Sequence, residues 1–294
     1  MTCPVCRAQL SLALTGVGID GATSSRTLQE ATGALLDAKA KANLRPVYLA
    51  GLRCYLNAFA KGREEAMIAS ITTADLERWF SERDEKPGTR ASNIGRLRSL
   101  FSFCQRREWL KRNPCDALEH VRIDTTPPRI LTPSEVRAVF AACPSRLLPF
   151  LTLAVFAGIR PDEILNLTWP DVRWDLGAVM VNRTKTRRRR IVPLEPVALE
   201  WLRTCDQTAD LCPSLATVKR DRKALRAALN GEWPQDVLRH TAASYLLSLH
   251  GDAGKVALRL GNSAGILMRH YHNLVSAEAT KEFWAVKPQT KGEV

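Results

Sequence analysis

The chain has 294 residues, which is long enough for two domains with separate hydrophobic cores. Its 43 Lys and Arg residues outnumber 30 Asp and Glu residues, and the formal net charge of +13 favours a polyanionic partner, with nucleic acid ahead of a membrane surface. No apolar run approaches the roughly 18 residues needed to span a bilayer, which argues against a membrane protein.

Residues 1–25 contain several glycines and are predicted to form an irregular tail. Their apolar stretch, residues 10–17, is short and lacks a small-residue cleavage site, so we do not expect a signal peptide. Cys3 and Cys6 form a Cys-x-x-Cys pair without the second pair of ligands that a structural zinc site needs. Because the other cysteines are scattered, free thiols in a reducing cytoplasm are expected, rather than a disulfide framework, a zinc site or a redox pair.

Helical periodicity dominates residues 26–121, and no strand pattern interrupts it. Thr73 is predicted to start one helix, and Thr89 is predicted to cap a longer helix that ends before Asn113. We therefore expect one helical domain over this segment. Residues 122–130 include Thr-Thr-Pro-Pro and are predicted to be an extended linker.

The second predicted domain covers residues 131–288 and begins with a clear helix signal. Thr132 stands at the cap position, Pro133 at the first helical position and Glu135 at the third. Residues 147–156 are almost entirely apolar and are predicted to form a buried helix.

A small sheet is expected in the middle of this domain. The runs at 172–174, 178–181 and 190–194 are predicted to be three short antiparallel strands joined by two turns. Helices follow up to a last one at 276–286, and residues 289–294 form a tail. The predicted fold class is mainly α (α+β).

The run Ala-Gly-Ile-Arg-Pro-Asp-Glu-Ile places Arg160 in an informative setting. Gly158 allows a tight turn before it, and Pro161 starts a helix after it. Arg160 is therefore expected at a helix N-terminus, where backbone N–H groups also favour an anion. The alternative is a surface arginine that pairs with Glu163.

A second arginine, Arg239, lies in Asp-Val-Leu-Arg-His-Thr, and Tyr271 follows in Arg-His-Tyr-His. Two guanidinium groups can bind the non-bridging oxygens of one phosphate bidentately. A phenol nearby can attack that phosphorus as a covalent nucleophile. The alternative for Tyr271 is an ordinary core tyrosine.

Arg, Arg and Tyr in this order, on a strongly basic chain, resemble the tyrosine recombinases, the phage integrase family. The resemblance covers about residues 27–288 and is strongest over 157–172 and 236–275. It implies an N-terminal helical core-binding domain and a C-terminal mixed helical catalytic domain with a small antiparallel three-stranded sheet. It also implies a site-specific DNA recombinase, an integrase of a phage or other mobile element. Such an enzyme cuts and rejoins double-stranded DNA through a 3′-phosphotyrosine, as a homotetramer on two DNA sites and without a metal or other cofactor.

The resemblance also assigns roles to individual residues. Arg160 and Arg239 stabilise the charge of the phosphorane, and Tyr271 is the nucleophile. Lys185, in the turn before the third strand, protonates the leaving 5′ oxygen. The basic run that follows is expected to contact the DNA backbone or water, and it consists of Arg187, Arg188, Arg189 and Arg190.

Two positions depart from the family pattern. Asp236 stands where the family has a histidine or lysine that helps to move the tyrosine proton or contacts the phosphate. We interpret Asp236 as a helix cap, with a general base as the alternative. Asn262 stands where the family has a histidine, and its amide can still donate a neutral hydrogen bond to a phosphate oxygen. His240 is either a buried structural residue or a support for the active-site helix.

These departures leave two other functions open. One is a catalytically impaired descendant of the family that only binds DNA, and the other is a type IB topoisomerase-like enzyme that nicks and religates. The last helix, at 276–286, either docks on a neighbouring protomer or packs on its own domain. A cytoplasmic, nucleoid-associated protein is expected in each case.

Overall fold

The computed structural model describes residues 26–123, 127–182, 189–271 and 275–288. The predicted tails and the Cys3–Cys6 pair therefore lie outside the described residues. Contacts divide the chain into two compact units, Met1–Asp124 and Thr125–Val294. The division falls within the predicted linker, and the finer domain limits remain a prediction.

The described part of the first unit is built from helices around an aromatic core. The Trp79 ring meets the rings of Tyr55, Phe59 and Phe80 edge to face, at centroid distances of 5.5, 5.1 and 5.2 Å. Such edge-to-face contacts stabilise the core beyond the contribution of the buried apolar area. The helices are α1 (Leu28–Lys41), α2 (Pro46–Ala60), α3 (Thr73–Ser81) and α4 (Pro87–Gln105).

Helix α4 begins and ends earlier than the sequence predicted. Pro87 occupies a first-turn position, so Thr89, the predicted cap, lies inside the helix. Proline suits this place because its φ is already helical, and because an N–H group in the first turn would have no acceptor within the helix. The helix ends at Gln105, and the chain then loops back. The Asn113 amide donates to Ser102 Oγ at 2.9 Å and holds this loop against the end of α4.

The first helix of the second unit starts where the sequence predicts it. The Thr132 side chain accepts from the N–H of Glu135, and the Glu135 carboxylate accepts from the N–H of Thr132, which completes a capping box. The elements are α5 (Pro133–Ala141), α6 (Leu148–Phe156), α7 (Pro161–Ile164), β1 (Val172–Arg173), β2 (Ala178–Val181), β3 (Arg190–Pro193), α8 (Pro196–Arg203), α9 (Leu215–Leu225), α10 (Val237–His250), α11 (Ala253–Leu260), α12 (Ala264–Tyr271) and α13 (Ala277–Trp284).

The three strands form one antiparallel sheet in the order β1-β2-β3, which confirms the predicted sheet. Val179 lies opposite Val172 on one side and opposite Val192 on the other, and these three valines are buried. Residues 183–188, between β2 and β3, are outside the described part of the chain. The pairing of β2 with β3 fixes where Arg190 enters the domain.

The last helix, α13, packs on its own domain. Phe283 is fully buried and stacks on Tyr245 of α10 with ring centroids 3.9 Å apart. The Trp201 indole donates to the backbone oxygen of Val286 at 2.7 Å, just after the helix. The apolar face of α13 is therefore occupied within the chain, which decides between the two alternatives for this helix. None of the described helices combines the length and apolar character that a membrane span requires.

Candidate active site

Arg160 is placed by a turn that only glycine fits. Gly158 has a φ of 61°, in the left-handed region, and a Cβ there would collide with the Leu260 side chain. The turn thus packs tightly against the end of α11. Arg160 follows at the position before α7, half-buried, with its guanidinium directed to the same helix end.

Two guanidinium groups meet at the end of α11. Arg160 Nη2 donates to Asn262 Oδ1 at 3.0 Å, and Arg239 Nη2 donates to the same oxygen at 3.0 Å. Arg160 Nη2 also donates to the carbonyl of Gly261 at 3.0 Å, and Arg239 Nη2 donates to that of Leu260 at 2.6 Å. Because guanidinium groups only donate, the amide oxygen of Asn262 must face them.

Within the described residues no carboxylate forms an ion pair with Arg239, and Arg160 contacts the Glu163 carboxylate at 3.5 Å but shares it with Arg190. Burial and then the positive charge of Arg160 lower the pKa of Arg239 to about 10. Arg239 is still charged at neutral pH, but two adjacent cations in a half-buried site disfavour each other. An anion bound to both would relieve that repulsion.

A buried carboxylate lies behind Arg160. Glu163 accepts two hydrogen bonds from Arg190, at 2.7 and 3.0 Å, and one from the backbone N–H of Arg160 at 3.2 Å. Burial alone would raise the pKa of the Glu163 carboxyl, but the hydrogen bonds and charge of Arg190 lower it overall. The Arg160 side chain reaches the same carboxylate only at 3.5 Å. The predicted alternative, a simple Arg160–Glu163 surface pair, therefore does not describe this site.

Arg190 differs from the role that the sequence suggested. The sequence predicts Arg190 to be part of a DNA-contacting run, but its side chain is 12% exposed and its guanidinium binds Glu163. Its Nε also donates to the carbonyl of Arg259 at 3.2 Å. Arg190 thus positions Glu163 behind Arg160. Arg189, in the same run, is exposed. Arg187 and Arg188 of this run and the predicted acid Lys185 lie outside the described residues.

Tyr271 ends helix α12 and is 6% exposed. Its Oη lies 2.6 Å from Nδ1 of His240, which belongs to α10. Burial raises the pKa of Tyr271, the charge of Arg239 opposes that rise, and the charge of Asp236 adds to it. The structure therefore brings His240 and Tyr271 into contact and places Asp236 and Arg239 within electrostatic reach of the phenol.

Asp236 is not the helix cap that we preferred. It occupies the residue before α10, but its backbone is left-handed, with a φ of 55°, and its side chain makes no capping hydrogen bond. A capping side chain normally needs an extended backbone to reach the amides of the first turn. An aspartate tolerates this conformation better than most residues, though at some strain.

A second ionic cluster supports α11 and was not expected from the sequence. Arg259 is buried, and its Nη1 donates to Glu195 Oε1 at 2.7 Å; His250 Nε2 lies 3.0 Å from the same oxygen. In the sequence, Arg259 stands among apolar residues at helical spacing. This pattern gives no signal of an ion pair with Glu195, which lies 64 residues earlier in the chain. This cluster fixes α11, whose end carries the carbonyls that bind both site arginines.

Similarity to known proteins shows the family of this chain. Residues 129–277, just over half of the chain, match the phage integrase family. Tyrosine recombinase XerC of Mesorhizobium japonicum is 27% identical over 252 residues, covering 76% of this chain and 80% of that protein. Tyrosine recombinase XerD of Vibrio cholerae serotype O1 is 27% identical over 217 residues, covering 64% and 71%.

Solved structures show the same fold. A lambda integrase tetramer bound to a Holliday junction matches with a TM-score of 0.66 at 17% identity, covering 93% of this chain and 89% of that one. The Tn1549 transposon integrase in complex with circular intermediate DNA matches with a TM-score of 0.65 at 15% identity, covering 87% and 98%. The predicted fold class and family are confirmed. On its family match and its fold, this chain belongs to the phage integrase family of tyrosine recombinases.

Proposed function

We propose that this site-specific DNA recombinase cuts a phosphodiester by attack of Tyr271 Oη on phosphorus. The attack breaks the bond to the 5′ oxygen and leaves a 3′-phosphotyrosine and a free 5′ hydroxyl. The observation that carries the proposal is the pair of guanidinium groups, Arg160 and Arg239, that share the Asn262 oxygen. Tyr271 lies within electrostatic reach of Arg239.

The arginine pair suits a phosphate that gains charge as it reacts. Each guanidinium is fixed by carbonyl oxygens before any substrate arrives, so little reorganisation is needed when the pentacovalent phosphorane forms. The planar fork of Arg matches the non-bridging oxygens of a phosphate. Asn262 neutralises neither cation, since its amide is uncharged. Substrate phosphate supplies the charge that this site lacks.

Lys185 is proposed to protonate the leaving 5′ oxygen, as the resemblance implies. It lies outside the described residues, in the segment that joins β2 to β3. Support for the role comes from the end of that segment, because Arg190 begins β3 and binds Glu163 behind Arg160. Lys185 stands five residues before this anchor in the sequence, and a lysine ammonium can donate a proton to a leaving oxygen.

Double-stranded DNA is the proposed substrate, and four protomers on two DNA sites are the proposed assembly. The net charge of +13 and the exposed Arg189 support binding to the phosphate backbone. The lambda integrase tetramer, with its similar fold, supports the assembly. Arg187 and Arg188 are proposed to contribute further phosphate contacts. A DNA substrate implies association with the nucleoid in the cytoplasm.

A nicked suicide substrate tests the reaction. Loss of a short 5′ fragment by diffusion prevents religation, so an active protein accumulates as a covalent adduct, and mass spectrometry of the digested adduct locates the attacking residue. We expect the adduct on Tyr271, and we expect Tyr271→Phe to form none while it binds duplex DNA within about threefold of the unchanged protein. Tyr48→Phe, in the first unit, is the matched control.

The outcomes separate the alternatives. An adduct in Tyr271→Phe would contradict the assignment of the nucleophile. Binding without any adduct in the unchanged protein would favour the impaired DNA-binding descendant. An adduct with relaxation of supercoiled DNA, but without exchange between two cognate sites, would favour the topoisomerase-like alternative.

A further inference from the structure

A short polar contact at the tyrosine is made by a residue with no proton-transfer role in the family pattern. The family residue that helps to move the tyrosine proton stands at position 236, which is an aspartate here. His240, one turn further along α10, instead has its Nδ1 at 2.6 Å from Tyr271 Oη. The two ring centroids are 5.6 Å apart and the ring planes are tilted by 34°, so the rings are not stacked face to face.

The phenol needs help to lose its proton. Tyr271 is 6% exposed, and its burial raises its pKa above the usual value of about 10. Asp236 adds to this rise because a carboxylate beside a phenol disfavours a second negative charge. A neutral phenol is a poor nucleophile toward phosphorus, so a proton acceptor within hydrogen-bond distance is required.

We propose that His240 is the catalytic proton acceptor for Tyr271 in this chain. With the ring proton on Nε2, the Nδ1 lone pair takes the phenolic proton as Oη bonds to phosphorus and the bond to the 5′ oxygen breaks. The electron pair of that bond leaves on the 5′ oxygen, which takes its proton from a separate acid. When the 5′ hydroxyl later attacks the phosphotyrosine, it gives its proton back to that acid, the bond from phosphorus to the tyrosine oxygen breaks, and the His240 imidazolium returns its proton to the tyrosine oxygen.

Asp236 suits this scheme better as a charge than as the base itself. The backbone oxygen of Asp236 accepts a hydrogen bond from the backbone N–H of His240 at 2.9 Å, so the two residues lie one turn apart at the start of α10. A negative charge near enough to disfavour the phenolate also favours a positive charge on the ring that touches the phenol. Proton transfer from Tyr271 to His240 is therefore assisted at the acceptor.

Removal of the base and rescue by a more acidic nucleophile test this role, which rests on Tyr271 being the nucleophile. His240→Asn keeps a polar group near the Nδ1 position but cannot accept the proton at neutral pH. We expect suicide-substrate cleavage to fall by about 100-fold or more. Trifluorotyrosine incorporated at position 271 has a more acidic phenol, and we expect it to restore cleavage in His240→Asn to within about tenfold of the unchanged protein.

Three controls keep the outcome decisive. His120→Asn makes the same change at an exposed residue of the first unit and is expected to cleave within about threefold of the unchanged protein. Duplex binding and thermal unfolding of each variant report whether it is folded, and His240→Gln provides a second variant if His240→Asn is not. In the protein that keeps His240, trifluorotyrosine is expected to change cleavage by less than about tenfold, because the base already removes the proton.

Two results would overturn the proposal. One is cleavage by His240→Asn and His240→Gln at the unchanged rate. The other is a loss of cleavage that the fluorinated phenol does not reverse, which would assign His240 a structural role. If both His240 variants are unfolded, a large gain in cleavage from trifluorotyrosine in the protein that keeps His240 would also contradict the proposal, because it would show that no base removes the proton. In each case an adduct that still maps to residue 271 leaves the proposed nucleophile standing. An adduct at another residue would instead contradict the proposed function.

Discussion

The arginine half of the site and the tyrosine half are held in different ways. Arg160 and Arg239 are bound by backbone carbonyls at the end of α11, and Glu163 and Arg190 form a buried ion pair behind them. Tyr271 has a side-chain contact with His240, and charges on nearby residues shift its pKa. The first half is fixed by the fold, whereas the second is tuned by a few side chains.

Each half contains one departure from the family pattern, Asn262 in the arginine half and Asp236 in the tyrosine half. A binding site for the charged phosphate must exist before the reaction starts, since its benefit comes from groups that do not have to move. Proton transfer from the phenol needs only one acceptor in reach, and more than one position can supply it. We therefore expect the substitution at position 236 to be tolerated, because both arginines and the tyrosine are present.

The largest expected effect lies in the arginine half, at the buried ion pair. Glu163→Gln leaves Arg190 facing a neutral amide in a buried site, and breaking such a pair destabilises a protein by about 3–5 kcal/mol. Urea denaturation at neutral pH measures this loss. Glu200→Gln removes an exposed pair with Lys287 and is expected to lose less than about 1 kcal/mol.

The same pair makes stability depend on pH with a defined sign. The pKa of Glu163 is lowered in the folded protein, so its contribution is present above the unfolded value of about 4.3 and is lost as pH falls through the folded value. The unchanged protein should therefore lose more stability than Glu163→Gln on acidification. Equal losses would show that Glu163 and Arg190 contribute little as an ion pair.

The next effect tests the geometry of the phosphate site. Arg239→Lys keeps the positive charge but removes the fork that contacts Asn262 and the Leu260 carbonyl together. Suicide-substrate cleavage is expected to fall by at least ~100-fold, the scale of losing one oxyanion donor. Arg203→Lys, at an exposed position, is the matched control. Cleavage near the unchanged rate in Arg239→Lys would mean that charge alone is sufficient.

A smaller effect is expected at the residue that joins the two arginines. Asn262→Ala removes the shared acceptor, and a hydrogen bond to a charged group contributes about 1.5–3 kcal/mol, so cleavage should fall by roughly 10- to 100-fold. Duplex affinity should change by less than about threefold, since the backbone carbonyls still hold both guanidinium groups. Asn166→Ala, which removes an exposed amide, is the control. A loss confined to affinity would place Asn262 in DNA binding instead.

Local signals predicted the parts of the fold that depend on neighbouring residues. The Thr132–Glu135 capping box, the three strands and the turn at Gly158 follow from short patterns, and the structure has them. Thr89 was predicted as a cap because its hydroxyl suits that position, but Pro87 starts the helix two residues earlier. Two acceptable helix starts so close together differ too little in local preference for the sequence to decide.

The site was predictable in its composition and not in its internal contacts. Order and spacing indicated Arg160, Arg239 and Tyr271, but the partners of Arg190 and His240 lie 27 and 31 residues away. A basic run looks the same whether an arginine faces DNA or a buried carboxylate. The strand register settles this question, because β3 carries Arg190 inward to Glu163.

The smallest expected effect tests the tuning of the tyrosine half. Asp236→Asn removes a charge that raises the pKa of Tyr271, so the pKa should fall, and NMR titration of ring-labelled tyrosine measures it. Tyr245, on the same helix, has a pKa that burial raises to about 12 and serves as an internal reference. A shift of equal size at both tyrosines would indicate a general change in the helix. Cleavage should change by less than about tenfold, because an easier phenolate and a less favoured His240 imidazolium oppose each other. A loss of ~100-fold or more would instead make Asp236 the base, and the tyrosine half would then depend on the position that departs from the family.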